Sequence, residues 1–216
     1  MGNYIKATTS PKDGSRIYQG EVEVDGMKVE LKGPSVTTVL SHPGSKKKYP
    51  KGGNHALRGT ECHALIEAYF EGFQVSPEGL ETDSWEYFQA LRPHLAELTK
   101  EATELQVLVN SRFGSFGGTV DFVGYLGQHR VIVDWKTTSS SPGSDRLINW
   151  GYQLSAYAHA LGGVDGAYIY AVIKPRKSKT PPKVRRWYYD PQTLAEYWRF
   201  FEYRLGVWHK NNPQIK

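Results

Sequence analysis

The stretch that most constrains the fold is the short apolar run Val131-Ile132-Val133, which is followed at once by Asp134-Trp135-Lys136. A run of β-branched residues is typical of a strand that is buried on both faces. Side chains at positions i and i+2 of a strand point to the same face, so Asp134 and Lys136 emerge side by side. A buried strand that ends in a carboxylate and an ammonium group indicates either a structural ion pair or a reactive site.

A second carboxylate, Asp121, belongs to the preceding predicted strand at residues 119–123. Residues 127–130 between the two strands predict a hairpin turn, which would bring Asp121 close to Asp134. Two neighbouring carboxylates repel each other unless a positive group lies between them. Lys136 alone could make a salt-bridged triad. A divalent cation held by both carboxylates would instead leave Lys136 facing a reaction.

Hydrophobic periodicity predicts the elements around these two strands. We expect helices at 54–70, within 76–103, at 145–161 and at 191–210, and further strands at 104–109, 167–173 and 184–189. Asp25-Gly26 predicts a β-hairpin over residues 16–31, preceded by a loose arm. The sequence therefore predicts an α/β fold, with a mixed central β-sheet flanked by helices in one domain at 34–216, and an N-terminal arm and peripheral β-hairpin at 1–33.

Several polar residues on these elements are candidates for a site. His63 and Glu67 are four apart and share a helix face, where His63 is either a satisfied core residue or a metal ligand. Glu104 begins a strand and is either an outer partner of a site or a solvent-exposed group. Gln153 and Tyr157 also share a helix face and either flank a site or form an ordinary polar surface.

The net charge of +5 is mild, but its distribution is uneven. Clustered basic residues indicate either a polyanionic partner such as nucleic acid or solvated loops, and they fall in two blocks: Lys46, Lys47, Lys48 and Lys51, then Arg176, Lys177, Lys179 and Lys183. Cys62 is the only cysteine, which excludes an internal disulfide and a cysteine-ligated zinc or iron–sulphur site and suits a reducing cytoplasm. No run of eighteen apolar residues is present, so we expect no membrane span.

The order of these motifs resembles the PD-(D/E)xK nuclease superfamily. Within it the chain looks like the RecB-type branch, and is most similar to mitochondrial genome maintenance exonucleases and their phage-encoded relatives. The residues that carry the resemblance lie between about 34 and 205: Pro34-Ser35-Val36-Thr37-Thr38-Val39-Leu40, Gly59-Thr60-x-x-His63, Gly118-x-x-Asp121, Asp134-Trp135-Lys136-Thr137 and Gln153-x-x-x-Tyr157. Each motif is common by chance, whereas all of them in this order and spacing are specific.

The resemblance implies a restriction-endonuclease-like core and a metal-dependent deoxyribonuclease that hydrolyses phosphodiester bonds. It implies an exonuclease on single-stranded DNA or free ends, acting in DNA replication, repair or recombination. Mg²⁺ or Mn²⁺ would be bound by His63, Asp121, Asp134 and the backbone carbonyl of Trp135, without an iron–sulphur cluster.

Within the resemblance, Lys136 would act with the two aspartates in catalysis. Glu67 and Glu104 would be accessory to the metal, and Gln153 and Tyr157 would position DNA or the lysine. Two alternatives stay open: an endonuclease of the resolvase or restriction type, and a catalytically silent nucleic-acid-binding protein on the same fold.

Overall fold

The computed structural model describes residues 5–10, 14–24, 26–41, 54–175 and 180–215. It contains two β-sheets and five helices within those residues. The strands are β1 Ile5–Thr9, β2 Arg16–Val24, β3 Met27–Pro34, β4 Leu98–Ser111, β5 Gly114–Leu126, β6 His129–Thr138, β7 Gly166–Ile173 and β8 Lys183–Tyr189. The helices are α1 Val36–Leu40, α2 His55–Phe70, α3 Ser84–Leu95, α4 Ser144–Ala160 and α5 Pro191–Asn211.

The central sheet has five strands in the order β4-β5-β6-β7-β8. Only β6 and β7 run parallel, and α4 provides the crossover that connects them; the other neighbours are antiparallel. The α/β fold with a mixed central sheet is therefore confirmed. Apolar cores cover both faces of the sheet, with α2 and α3 on one face and α1, α4 and α5 on the other. No helix of the described part is long and apolar enough to cross a membrane.

Strand β6 owes its central place to its alternating side chains. Val131, Val133 and Trp135 pack into the core beneath α2 and α3, whereas Ile132 packs into the core on the side of α4. Asp134 and Lys136 follow Ile132 at two-residue spacing, so the pleat directs them towards α4. The sequence expectation that these two residues share a face at the end of a buried strand is confirmed.

The N-terminal region contains more order than the sequence indicates. The hairpin of β2 and β3 forms as expected, but the supposed loose arm includes β1, which pairs with β2 in an antiparallel three-stranded sheet. This sheet packs on β4 and β5 through a core that Tyr18, Val22, Leu31 and Leu108 share. At Gly33 the backbones come so close that a Cβ atom would overlap the carbonyl of Ser115. The division into an N-terminal arm and a nuclease domain stays a prediction.

The second predicted helix ends earlier than the hydrophobic pattern indicates. The pattern continues from Leu95 to Leu98, but the helix ends at Leu95, just after Pro93, and Leu98 begins β4. Proline cannot supply an N–H to a helix interior, which favours an end close to this position. Strand β4 consequently extends over fourteen residues instead of the predicted six.

Candidate active site

Asp121 lies where β5 and β6 separate. The last residues that pair these two strands are Phe122 and Val133, so Asp121 on β5 and Asp134 on β6 are not paired with each other. The side chain of Asp121 replaces the missing ladder bond, because its Oδ2 atom accepts a hydrogen bond of 3.0 Å from the backbone N–H of Trp135. This bond fixes the carboxylate beside the end of β6, and the proximity of Asp121 and Asp134 expected from the hairpin is present.

His63 extends from α2 to the same place. Its Nδ1 atom is 3.4 Å from Glu104 Oε1 and 3.8 Å from Asp121 Oδ2. Its Nε2 atom is 3.3 Å from the carbonyl oxygen of Trp135. His63, Glu104 and Asp121 each offer a ligand atom within 4.8 Å of the others, so these three residues form a group that could hold a metal ion. We call them the metal-binding group.

Glu104 reaches this group through an unusual backbone conformation. Its φ angle is +46°, in the left-handed region that side chains other than glycine, asparagine and aspartate rarely adopt. The residue lies between the pairs Thr103–Phe122 and Leu105–Val120, opposite Asp121 on β5. No sequence signal reveals this twist, since a glutamate at the start of an alternating segment predicts regular strand geometry. Strain of this kind is often found at functional sites.

Asp134 and Lys136 form a close pair next to the metal-binding group. Lys136 Nζ lies 2.6 Å from Asp134 Oδ2, while Asp134 is almost wholly buried. Apart from this ion pair, neither carboxylate oxygen of Asp134 has a hydrogen-bond partner among the described residues. A buried carboxylate in this situation is costly unless a further positive group neutralises it. An oxygen-rich set with one imidazole suits Mg²⁺ or Mn²⁺, so the residues fit a divalent cation.

Two side chains of helix α4 form a series of hydrogen bonds that ends at Lys136. Lys136 Nζ donates to Gln153 Oε1 at 3.3 Å, and Gln153 Nε2 donates to the Tyr157 hydroxyl at 3.4 Å. Tyr157 in turn packs against Gly118, where a Cβ atom would come within 2.6 Å of the tyrosine ring. The glycine of Gly118-x-x-Asp121 is therefore needed to admit Tyr157. The two helix residues that share a face do flank the site.

The remaining candidates lie elsewhere or outside the described residues. Glu67 is exposed on α2 and is not part of the metal-binding group. Lys183 begins β8 and is exposed. The other seven basic candidates lie outside the described residues: Lys46, Lys47, Lys48, Lys51, Arg176, Lys177 and Lys179.

The concentrated negative charge shifts the pKa values of the group. Burial alone would lower the pKa of His63, but the hydrogen bond to Glu104 and the charges of Asp121, Asp134 and Glu104 raise it to about 9. Burial and the charge of Asp134 raise the pKa of Asp121 above its usual range. Burial opposes the charge on Lys136, but Asp134 and Asp121 outweigh it and raise the pKa of the lysine. At neutral pH the carboxylates therefore hold His63 and Lys136 in their cationic forms.

These shifts predict how the stability of metal-free protein depends on pH. A histidine whose folded pKa is raised stabilises the fold fully below its unfolded pKa of 6.5, and that stabilisation is lost as the pH rises through about 9. The raised pKa of Asp121 acts in the same direction, but most of that stabilisation is lost below this interval, as the pH rises from the unfolded pKa of 3.8 to about 7. In EDTA, the free energy of unfolding should fall by about 1–3 kcal/mol between pH 6.5 and pH 9.5.

Urea unfolding of the chelated protein at several pH values measures this loss. Replacing His63 with Gln should flatten the profile. A wild-type profile that is level over this interval would contradict the assigned charge coupling.

Comparison with known proteins decides the family. Residues 85–212, more than half of the chain, match the model of the PD-(D/E)XK nuclease superfamily. The chain belongs to the PD-(D/E)XK nuclease superfamily. That assignment confirms the resemblance read from the motifs at the level of the superfamily. None of the curated proteins searched matches the chain.

One solved structure supports the fold of this PD-(D/E)XK nuclease chain. A protein from Eubacterium rectale, provisionally named an exonuclease, aligns with a TM-score of 0.51 and 14% identity over 77% of this chain and 70% of that chain. An alkaline exonuclease from Laribacter hongkongensis aligns with a TM-score of 0.35 and 11% identity over 84% of this chain and 94% of that one. At 14% identity the likeness to the Eubacterium rectale protein concerns the fold alone.

Proposed function

We propose that this chain is a metal-dependent deoxyribonuclease, and specifically an exonuclease that hydrolyses phosphodiester bonds in single-stranded DNA or at free ends. The observation that carries the proposal is the convergence of His63, Glu104 and Asp121 with the buried Asp134–Lys136 pair at one end of the central sheet. Membership of a nuclease superfamily supports the chemistry. The preference for DNA, for single strands and for ends follows from the resemblance to RecB-type exonucleases.

The residues that would hold Mg²⁺ or Mn²⁺ are the metal-binding group, Asp134 and the carbonyl of Trp135. When bound, such a cation supplies positive charge that offsets the phosphate oxygens and makes water more acidic. Asp121 is held in position by the N–H of Trp135, and His63 by its contacts with Glu104 and the Trp135 carbonyl. These contacts preorganise the ligand atoms before any substrate arrives.

Lys136 would serve as the positive group on the side of attack. In metal-free protein Asp134 and Asp121 raise the pKa of Lys136, so it is an ammonium at neutral pH and donates hydrogen bonds. It can orient an attacking water and stabilise the charge that develops on the phosphate in the transition state. The ammonium contacts both Asp134 and Gln153, and Gln153 is in turn hydrogen-bonded to Tyr157.

The exonuclease proposal is tested by comparing linear and circular single-stranded DNA of the same sequence. An end-dependent enzyme should release label from the linear strand in Mg²⁺ or Mn²⁺ and leave the circle intact. Labelling each end in turn gives the direction of digestion. Efficient cutting of the circle would replace the proposal by an endonuclease, and DNA binding without cleavage of either substrate would favour the silent binder.

A further inference from the structure

A cleft of about 390 Å³ opens beside the metal-binding group. Glu104 and Asp121 line it from the central sheet, together with Gly118 and Tyr157. Its opposite wall comes from the N-terminal sheet and the segment that follows it, and is formed by Arg16, Tyr18, Ser35 and Thr37. The peripheral hairpin expected from the sequence is therefore one side of the candidate active site.

Hydrogen bonds connect this wall to the central sheet and fix the backbone of Arg16 within it. The Tyr18 hydroxyl lies 3.0 Å from Thr119 Oγ1, two residues before Asp121. The backbone of Arg16 is bonded on both sides, because its N–H donates to Thr38 Oγ1 at 2.9 Å and its carbonyl accepts from the Ser35 N–H at 2.6 Å. Arg16 is consequently held at a defined place relative to the carboxylates, although it lies at the start of its strand.

The guanidinium of Arg16 is not neutralised by any carboxylate among the described residues, unlike that of several other arginines. Arg58, Arg130 and Arg186 each bind a carboxylate. No ion pair of Arg16 occurs among the described residues; its exposed guanidinium instead lies over the ring of Tyr18, 5.2 Å from the ring centre. Packing against a buried ring restricts the guanidinium to the mouth of the cleft. A planar cation with unused donors beside the reaction centre fits a phosphate.

We propose that Arg16 binds a phosphate of the nucleic-acid strand in this cleft, other than the phosphate that is cleaved. This inference rests on the proposed nuclease function and adds a positioning residue to it. Arg16 fixes the register of the strand on the carboxylates without touching the reacting atoms, and it acts irrespective of base sequence.

The first test compares Arg16→Gln with Lys32→Gln. Lys32 pairs with Gln19, so it lies on the face of the same sheet that points away from Tyr18 and the cleft. Each variant loses one positive charge, but only Arg16→Gln should raise KM and the DNA dissociation constant, by on the order of tenfold, with kcat nearly unchanged. The slope of log affinity against log salt, measured in EDTA, should fall by about 0.7. Arg16→Lys should recover part of the affinity.

The second test locates the phosphate. Single methylphosphonate linkages, which are uncharged, are placed in turn along a short single strand, and affinity is measured in EDTA. In wild-type protein, the methylphosphonate at one particular linkage should reduce affinity most. In Arg16→Gln, the methylphosphonate at that linkage should have no effect, whereas the other linkages should behave as in wild type. Identical KM, salt slope and linkage profile in wild type and Arg16→Gln would overturn the proposal.

These measurements separate the two proposals. If the linkage profile depends on Arg16 but no metal supports cleavage, the phosphate site stands and the nuclease function fails. If cleavage occurs and Arg16→Gln matches Lys32→Gln in every measurement, the nuclease stands and the phosphate site fails. Absence of DNA binding by wild-type protein would overturn both.

Discussion

Replacing Lys136 with Met is expected to lower the rate constant of DNA cleavage by on the order of 10²–10³-fold while most of the DNA affinity remains. Methionine has a similar length but lacks the ammonium that Asp134 and Gln153 hold in place. An interaction made mainly in the transition state affects kcat more than binding. Single-turnover cleavage and binding measured separately distinguish these effects.

A matched control for this variant is Lys100→Met. Lys100 also lies 2.6 Å from a carboxylate, that of Glu71, but neither residue belongs to the metal-binding group. The control should cleave DNA at the wild-type rate. Cleavage by Lys136→Met at a rate equal to that of the control would remove Lys136 from the mechanism.

The lysine variant should also be less stable without metal. Removing one partner of a buried ion pair leaves an uncompensated charge, here on Asp134, at a cost of about 3–5 kcal/mol. Activity should therefore be measured in Mg²⁺ after the folded state has been verified by circular dichroism. A loss of activity that persists in folded, metal-loaded protein is catalytic rather than structural.

Replacing Asp121 with Asn is expected to abolish cleavage and the thermal stabilisation by divalent metal, without destabilising the metal-free protein. Asparagine keeps the shape and can still accept from the Trp135 N–H. It removes a charge for which burial and the repulsion of Asp134 outweigh the attraction of His63 and Lys136, so the melting temperature in EDTA should stay level or rise. Wild-type protein at a metal concentration of 100 Kd should gain about 2.7 kcal/mol, a gain that the variant lacks.

Glu67→Gln is the matched control for the carboxylate variant. Glu67 lies one helical turn after His63 but is exposed and outside the metal-binding group. Calorimetry or fluorescence melting with and without Mn²⁺ should show the wild-type shift for Glu67→Gln and none for Asp121→Asn. A full metal shift in Asp121→Asn would exclude this aspartate as a ligand.

Much of the site follows from local sequence rules. The alternation of β6 predicts that Asp134 and Lys136 share a face, and the two-strand hairpin predicts that Asp121 lies near them. Helical spacing predicts that Gln153 and Tyr157 act together. These relations depend on residues that are close in the chain or on one tight turn, and so periodicity is sufficient to infer them.

The other wall of the cleft depends on contacts that periodicity does not encode. Arg16 reaches the site because the N-terminal sheet packs closely on the central sheet. Gly33 and Gly117 permit this approach, and Tyr18 contacts Thr119, which is about a hundred residues later in the chain. Glu104 enters the metal-binding group through a positive φ angle that its residue type disfavours. The sequence offers no spacing rule for either, and only the three-dimensional packing brings them to Asp121.

We propose that this chain cleaves DNA with a divalent metal held by the metal-binding group, Asp134 and the carbonyl of Trp135. The most direct test of this claim is to digest end-labelled linear single-stranded DNA with EDTA-treated protein before and after Mg²⁺ or Mn²⁺ is restored. Label should be released only after metal is restored, and Asp121→Asn should release none. Equal release in EDTA, or by Asp121→Asn, would contradict the claim.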